Sequence, residues 1–150
     1  MLATLVRYAP WGQAALRIMT GLLFMQHGLQ KMFHFPDAGH HPEPFTLLSL
    51  AGIAGILETF GGLAIVLGLF TRPVAFLLAG QMAVAYFMFY FPDVADGWRG
   101  LFPVINGGEA AILFCFVFLH LMFSGPGALS LDKWRLLTRS EPTATVPGAD

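Results

Sequence analysis

The sequence has few charged residues and a single cysteine. Charged side chains make up 11% of its 150 residues, whereas soluble domains average about 25%. With a net charge of -1 and no basic run, the chain lacks the features typical of nucleic-acid binding. Cys115 alone cannot form an internal disulfide or a CxxC pair. A redox role would therefore require a bound cofactor, a partner protein or an intermolecular disulfide.

The chain is instead rich in long apolar runs. Hydrophobic residues make up 56% of it, and four runs fall at about residues 12–33, 46–70, 73–91 and 104–123. Each can cross a bilayer core of about 30 Å as a helix, and none has a polar face for water. Prolines lie between the runs, as continuous helices require: Pro10, Pro36, Pro42, Pro44, Pro73, Pro92, Pro103 and Pro126. These patterns predict an all-α fold, a four-transmembrane-helix bundle.

Basic residues are distributed unevenly around the four spans. They precede span 1, occupy the turn between spans 2 and 3, and follow span 4, at Arg7, Arg72, Lys133, Arg135 and Arg139. The other two loops are mostly acidic, with Asp37, Glu43, Asp93 and Asp96 against Lys31 and Arg99. By the positive-inside rule, both termini are expected in the cytoplasm.

The chain after span 4 divides into two parts. The stretch SLDKWRLL at residues 130–137 begins with a capping serine and mixes Leu and Trp with basic residues. This pattern predicts a short helix on the cytoplasmic membrane interface. Residues 140–150 contain Pro, Thr, Ala and Gly without apolar anchors, which predicts disorder. We therefore expect one four-helix membrane domain over residues 1–139 and a disordered tail.

Polar residues inside the spans fall into two layers when depth is counted at about 1.5 Å per residue. The cytoplasmic-half layer contains Arg17, Glu58 and Gln81. The layer near the outer face contains His27, Gln30, Lys31, Asn106 and Glu109. An ionisable group within the membrane costs at least about 2.5 kcal/mol, so each charge is expected to have a partner or a function.

Helical spacing groups these residues further. Two stripes that include small residues allow close helix contact, one formed by Arg17, Gly21, Phe24, Gly28 and Lys31, the other by Ala51, Gly55, Glu58 and Gly62. Facing stripes predict an Arg17–Glu58 contact, which is either a structural ion pair or a functional site. In span 4, one face is shared by Asn106, Glu109, Leu113 and His120. Nearness to water favours a functional role for Glu109 in the outer layer.

The loop FHFPDAGHHPEP at residues 33–44 is rich in histidine. Its His34, His40 and His41, with Asp37 and Glu43, are ligand types suited to a divalent transition metal. Their spacing matches no recognised metal motif, so a solvated loop is the favoured interpretation.

Five segments in order carry a family resemblance. They are Leu16-Arg17 followed by Gly21, HGLQKMF at residues 27–33, GILETFGGLAIVLGLFTRP at 55–73, NGGEAAILF at 106–114 and GPGALSLD at 125–132. Together they resemble the DoxX family of small four-helix bacterial membrane proteins, over about residues 15–133. The resemblance implies a bacterial inner (plasma) membrane protein linked with redox systems, since the family is named after a subunit type of a thiosulfate:quinone oxidoreductase. The matching positions are Arg17, Gly28, Lys31, Glu58 and Glu109.

The leading hypothesis is an integral membrane subunit of a redox system that binds a quinone and works with a partner protein. If it is an enzyme, it is a component of a quinone-linked oxidoreductase. The candidate catalytic residues are Glu109, Glu58 and Arg17, and the candidate quinone-binding residues are His27, Lys31, Gln30, Asn106 and Gln81. Phe24 and Phe60 are expected to wall the ring slot, with Arg17 and Lys31 as donors. No haem, flavin or nucleotide motif is present, so the partner would supply electrons.

The alternative hypothesis is a non-enzymatic membrane adaptor or small transporter. Its polar layers would bind an ion, a lipid head group or a partner helix. The glycine-rich faces are also compatible with a homo-oligomer, because small residues serve contacts within and between chains equally well.

Overall fold

The computed structural model describes residues 2–37, 46–91 and 94–139, whose regular elements are all helices, with no strand among these residues. Helix α1 runs from Leu2–Phe33. The next helix has three consecutive segments, α2 (Leu50–Ile56), a π-helical segment (Leu57–Gly61) and α3 (Gly62–Leu67), and we call the whole the Leu50–Leu67 helix. The remaining elements are α4 (Thr71–Ala85), a second π-helical segment (Tyr86–Tyr90), a 3-10 segment (Val94–Leu101), α5 (Pro103–Asn106), α6 (Glu109–Ser124) and α7 (Leu131–Arg139).

The long helices pack as two pairs. Helix α1 lies along the Leu50–Leu67 helix, and α4 lies along α6. A core of buried apolar side chains joins the pairs, with Phe24 of α1, Leu78 of α4 and Phe118 of α6 each no more than 1% exposed. The rings of Phe24 and Phe118 meet edge to face at 4.8 Å between centroids, a favourable aromatic geometry. The four helices thus form one bundle around an apolar centre.

Glycines set the register of the first helix pair. A Cβ atom added at Gly21 would lie 2.8 Å from the Gly62 carbonyl oxygen, and one at Gly28 would lie 2.7 Å from the Gly55 carbonyl oxygen. Only residues without a side chain allow two backbones to approach this closely. The two small-residue stripes expected from the sequence therefore face each other, with Gly21 beside Gly62 and Gly28 beside Gly55.

The outer surface of the bundle is apolar. Large side chains such as Phe60, Phe76 and Phe116 are at least 60% exposed on different helices, which is more apolar area than soluble monomers usually expose. Among the described residues, the helices Leu50–Leu67 and Thr71–Tyr90 are long and apolar enough to cross a membrane, and α6 is apolar but shorter. Length and surface chemistry together suit a lipid environment.

Two helix boundaries differ from those expected. Helix α1 begins at Leu2 and contains Pro10, which was expected to precede the helix. The run 104–123 is not one helix, because Gly107 adopts a left-handed conformation (φ 78°) and separates α5 from α6. Asn106 and Glu109 consequently lie on different helices, and the prediction that they share a helix face is wrong.

The C-terminal helix is present as expected. Helix α7 covers Leu131–Arg139, and Ser130 Oγ accepts a hydrogen bond from the Lys133 amide at 3.2 Å. Trp134 and Leu136 are more than 60% exposed. The predicted disordered tail, residues 140–150, lies outside the described residues.

Candidate functional site

Glu58 is the most deeply buried acidic side chain of the candidate set, and it pairs with Lys31. Lys31 Nζ lies 2.5 Å from Glu58 Oε1, with the carboxylate side chain 3% exposed and the lysine side chain 40% exposed. Gln81 Nε2 donates to the same Oε1 at 3.3 Å. Glu58 lies in the π-helical segment Leu57–Gly61, a geometry found frequently at functional sites. Three helices therefore converge on one carboxylate.

A cavity of about 660 Å³ adjoins this carboxylate. Its polar lining comes from Glu58, Lys31, Gln81 and His27, and most of the rest is apolar or aromatic. The His27 ring packs edge-on against Phe114 at 5.8 Å between centroids. This volume lies within the usual range for small-molecule sites, about 300–1,000 Å³, and an apolar wall with a few converging polar groups is their usual composition.

The cavity is open on the side that faces away from the bundle core. Helix α2 packs against α1 and makes few contacts with α4. The wall residues Leu50, Leu77 and Val84 are more than half exposed. Its rim is therefore apolar, and its polar groups lie where α1, the π-helical segment and α4 meet.

Arg17 does not contact Glu58, and the expected ion pair is wrong. The guanidinium is fully buried and donates to the carbonyl oxygens of Ile65 and Val66 at 2.5 Å, and of Pro126 and Leu129 at 2.8 Å. The Gly21–Gly62 contact places Arg17 opposite the end of α3. Glu58 lies seven residues before Ile65, which is ~10 Å away along the helix axis. With all three of its nitrogens bonded to carbonyl oxygens, Arg17 is a structural clamp and does not line the cavity.

The outer-layer candidates separate in the structure. His27 and Lys31 line the cavity, whereas Gln30, Asn106 and Glu109 do not. Asn106 Nδ2 donates to the Gly100 carbonyl and its Oδ1 accepts from the Gly108 amide, each at 2.8 Å, so it shapes the turn before α6. Glu109 is exposed at the start of α6.

Other expectations concern the ring slot and the histidine-rich loop. Phe24 lines the cavity as expected, but Phe60 is 60% exposed on the outer surface, so its proposed place in the slot is wrong. Of the loop histidines, His34 is half-buried, and His40 and His41 lie outside the described residues. Within residues 2–37, 46–91 and 94–139 no group of three metal-ligating side chains comes together.

Two features of the structure were not expected from the sequence. The α4 side of the cavity includes Phe76, Gly80 and Met88. Their place in a cavity could not be predicted, because the sequence of this helix has the same apolar composition as a helix that faces lipid. Asp132 accepts hydrogen bonds from the amides of Phe70 and Thr71 at 2.8 Å and so caps α4 from the far end of the chain. The capping role of an acidic residue at a helix N-terminus is a familiar signal, but here residues 71 and 132 are brought together only by the fold.

An all-helical bundle with an apolar outer surface, and with buried polar side chains at one end of a cavity, is characteristic of a helical membrane protein. The chain belongs to the DoxX family, whose profile matches residues 12–91. Membership agrees with the resemblance inferred from the motifs.

Relatives extend the similarity along most of the chain. An uncharacterized protein of Haemophilus influenzae is 40% identical over 86% of this chain and 94% of its own length. The inner membrane protein YqjF of Escherichia coli is 30% identical over 81% of this chain and 90% of its own. An uncharacterized membrane protein of Mycobacterium tuberculosis is 27% identical over 89% of this chain and 84% of its own. No solved structure shows significant similarity to the chain.

Proposed function

We propose that this DoxX family protein is the membrane subunit of a redox system and holds a quinone-type ligand in the cavity beside Glu58. The observation that carries the proposal is the cavity itself, an apolar space of about 660 Å³ with Glu58, Gln81 and Lys31 at its polar end. A ring with oxygen substituents and an isoprenoid tail requires this combination of polar and apolar surface. The open apolar side gives such a ligand access from the lipid phase.

The proposal includes a topology. Helix α1, the Leu50–Leu67 helix, α4 with its π-helical continuation, and α5 with α6 would be the four spans of one membrane domain covering residues 1–139. Both termini would lie in the cytoplasm, with the Lys/Arg-bearing α7 on the inner-membrane interface. Arg17 would then lie near the cytoplasmic side, and the Lys31–Glu58 pair closer to the outer face.

The three polar residues that meet at the Glu58 carboxylate have distinct roles in this proposal. Lys31 is the cationic donor to the ligand. Its ammonium is partly exposed and has three N–H groups, of which the bond to Glu58 Oε1 uses one. Glu58 is the group that accepts or releases a proton during ligand turnover, and Gln81 holds the carboxylate in position. Electrons would come from a partner protein, because one cysteine in the whole sequence provides no internal dithiol.

Purification of the full-length protein in nanodiscs tests the proposal. Lipids extracted from the wild-type preparation should contain quinone or quinol, identified by chromatography and redox spectra. Glu58→Gln should retain ~10-fold less, whereas Glu109→Gln, which changes an exposed carboxylate off the cavity, should retain the wild-type amount. Thermal unfolding of each variant checks that it is folded.

The competing adaptor or transporter function predicts other outcomes. A preparation that contains no quinone or quinol and binds neither added decylubiquinone nor decylubiquinol would contradict the proposal. Stoichiometric phospholipid or a metal ion in its place would support the alternative. Equal loss of retained quinone in Glu58→Gln and Glu109→Gln would show that the cavity is not the binding site.

A further inference from the structure

Two buried acceptors line the polar end of the cavity. Glu58 Oε2 and Gln81 Oε1 are buried and accept no hydrogen bond from the part of the chain that the structure describes. Buried polar atoms in folded proteins nearly always have a hydrogen-bond partner, and an acceptor left without one is costly. Two such atoms on neighbouring, hydrogen-bonded side chains therefore call for a donor at this place.

The hydrogen bonds formed by the side chains around Glu58 do not reach Oε2. Lys31 Nζ and Gln81 Nε2 both donate to Glu58 Oε1, and the Thr59 hydroxyl donates to Met32 Sδ at 3.4 Å. Glu58 Oε1 thus accepts two hydrogen bonds, whereas Oε2 accepts none from the described residues. Rotation about the terminal torsion of a glutamate is soft, because that torsion is broad and roughly two-fold. The Glu58 carboxylate can therefore turn to present Oε2 to a ligand.

The apolar part of the cavity constrains what can carry the donor. Phe24, Phe114 and Phe76 line it, which favours a flat ring, and its open side is apolar. Of the two redox forms of a quinone-type ligand, the quinol has O–H donors, whereas the quinone has carbonyl oxygens that only accept. A quinone carbonyl beside Glu58 Oε2 and Gln81 Oε1 would place acceptors next to each other without a hydrogen between them. Lys31 would then be the donor available to that carbonyl.

We propose that the cavity selects the reduced, hydroxyl-bearing form of its ligand, with Glu58 Oε2 and Gln81 Oε1 accepting from the ring hydroxyls. This inference rests on the proposed function, and it adds which chemical form binds. It concerns binding only, so the direction of electron transfer is set by the partner.

Equilibrium binding of two probes tests the selectivity. Decylubiquinol and decylubiquinone are titrated separately, without oxygen, onto full-length protein in nanodiscs, and bound probe is measured by chromatography. The wild-type protein should bind the quinol at least ~10-fold more tightly, as expected when a hydrogen bond to a charged group is gained. Glu109→Gln, off the cavity, should keep this preference.

Two variants locate the preference at the acceptors. Glu58→Gln replaces one acceptor oxygen by a donor, so the preference should fall to within ~3-fold, mainly through weaker quinol binding. Gln81→Met removes the amide acceptor while leaving the Lys31–Glu58 pair, and should reduce the preference in the same direction. The wild-type measurement alone is decisive if either variant fails to fold.

The outcomes separate the two proposals. Equal binding of both probes to the wild type, or tighter binding of the quinone, overturns the selectivity and leaves the quinone-site proposal standing. A preference that persists in both Glu58→Gln and Gln81→Met overturns the assignment to these acceptors. Failure of the wild type to bind either probe overturns both proposals.

Discussion

Lys31 on α1 and Glu58 on the neighbouring helix are paired at 2.5 Å between Nζ and Oε1, although the sequence suggested Arg17 as the partner of Glu58. The pair is asymmetric, because the carboxylate is 3% exposed and the lysine 40% exposed. A buried carboxylate that loses its cation becomes an uncompensated charge, whereas removal of both charges leaves two neutral side chains. This asymmetry makes the contribution of the pair measurable.

The first prediction concerns this ion pair. Lys31→Met should lower the free energy of unfolding by about 1–3 kcal/mol, because Glu58 stays buried without its cation, and partial exposure of Lys31 limits the loss. Lys31→Met combined with Glu58→Gln should recover part of it. A double-mutant cycle measured by unfolding in detergent gives the coupling energy. Purely additive losses would contradict the pairing.

The second prediction concerns Arg17. Its guanidinium donates to carbonyls of both α3 and the segment after α6, including Ile65 and Pro126. Arg17→Lys should therefore destabilise the fold by at least ~3 kcal/mol, because one ammonium cannot reproduce a planar array of donors aimed at several carbonyls. Arg7→Lys, at an exposed position, is the matched control. Thermal unfolding compares the two, and similar melting temperatures would refute the clamp.

The third prediction concerns helix approach. Gly21→Ala should cost about 1–3 kcal/mol, because its Cβ would lie 2.8 Å from the Gly62 carbonyl oxygen and the helices would have to separate. Gly12→Ala, on the same helix with no atom within 4 Å of the added Cβ, should be neutral or stabilise by about 0.5–1 kcal/mol. Unfolding of both variants in one detergent provides the comparison. A stable Gly21→Ala protein would contradict the register.

The fourth prediction concerns the cavity. Gly80 lines it, and an added Cβ there meets no atom within 4 Å. Gly80→Leu should therefore leave the melting temperature nearly unchanged while filling part of the ligand space, and should weaken binding of decylubiquinol ~10-fold. Gly12→Leu, an equal change in size outside the cavity, should bind normally. Unchanged affinity in Gly80→Leu would place the ligand elsewhere.

The fifth prediction concerns the proposed topology. In a Cys115→Ala background, a single cysteine replaces either Leu5, near the N-terminus, or Phe102, between α4 and α6. A membrane-impermeant thiol reagent added to intact spheroplasts should label position 102 alone, and permeabilisation should expose position 5. Labelling of position 5 in intact spheroplasts would contradict a cytoplasmic N-terminus.

Some features of the site could be predicted from sequence because they depend on helical spacing alone. The stripes containing Gly21, Gly28, Gly55 and Gly62 face each other, since residues three or four apart share a helix face wherever the helix ends. Glu58 and Gln81 were also expected in one layer, and they are hydrogen-bonded. Both lie near the middle of their helices, so small depth errors do not separate them.

Other features could not be predicted, because they depend on how far one helix slides along another. Residue depth in the spans predicted Arg17 and Glu58 in one layer, whereas the Gly21–Gly62 and Gly28–Gly55 contacts set Arg17 level with the end of α3, and each residue of axial offset moves a side chain by ~1.5 Å. The Arg17 guanidinium therefore bonds to the carbonyls of Ile65 and Val66, and Lys31 reaches Glu58 instead. The break at Gly107 likewise separated Asn106 from Glu109.

The sequence by itself determined that this is a helical membrane protein of the DoxX family and that Glu58 needs a partner, because hydropathy, charge and motif order are properties of the linear chain. The tertiary structure alone decided that the partner is Lys31, that Arg17 is a clamp, and that a cavity opens beside the carboxylate. The physical reason is backbone contact at a few glycines, which fixes the axial offset of the helices and hence which side chains meet.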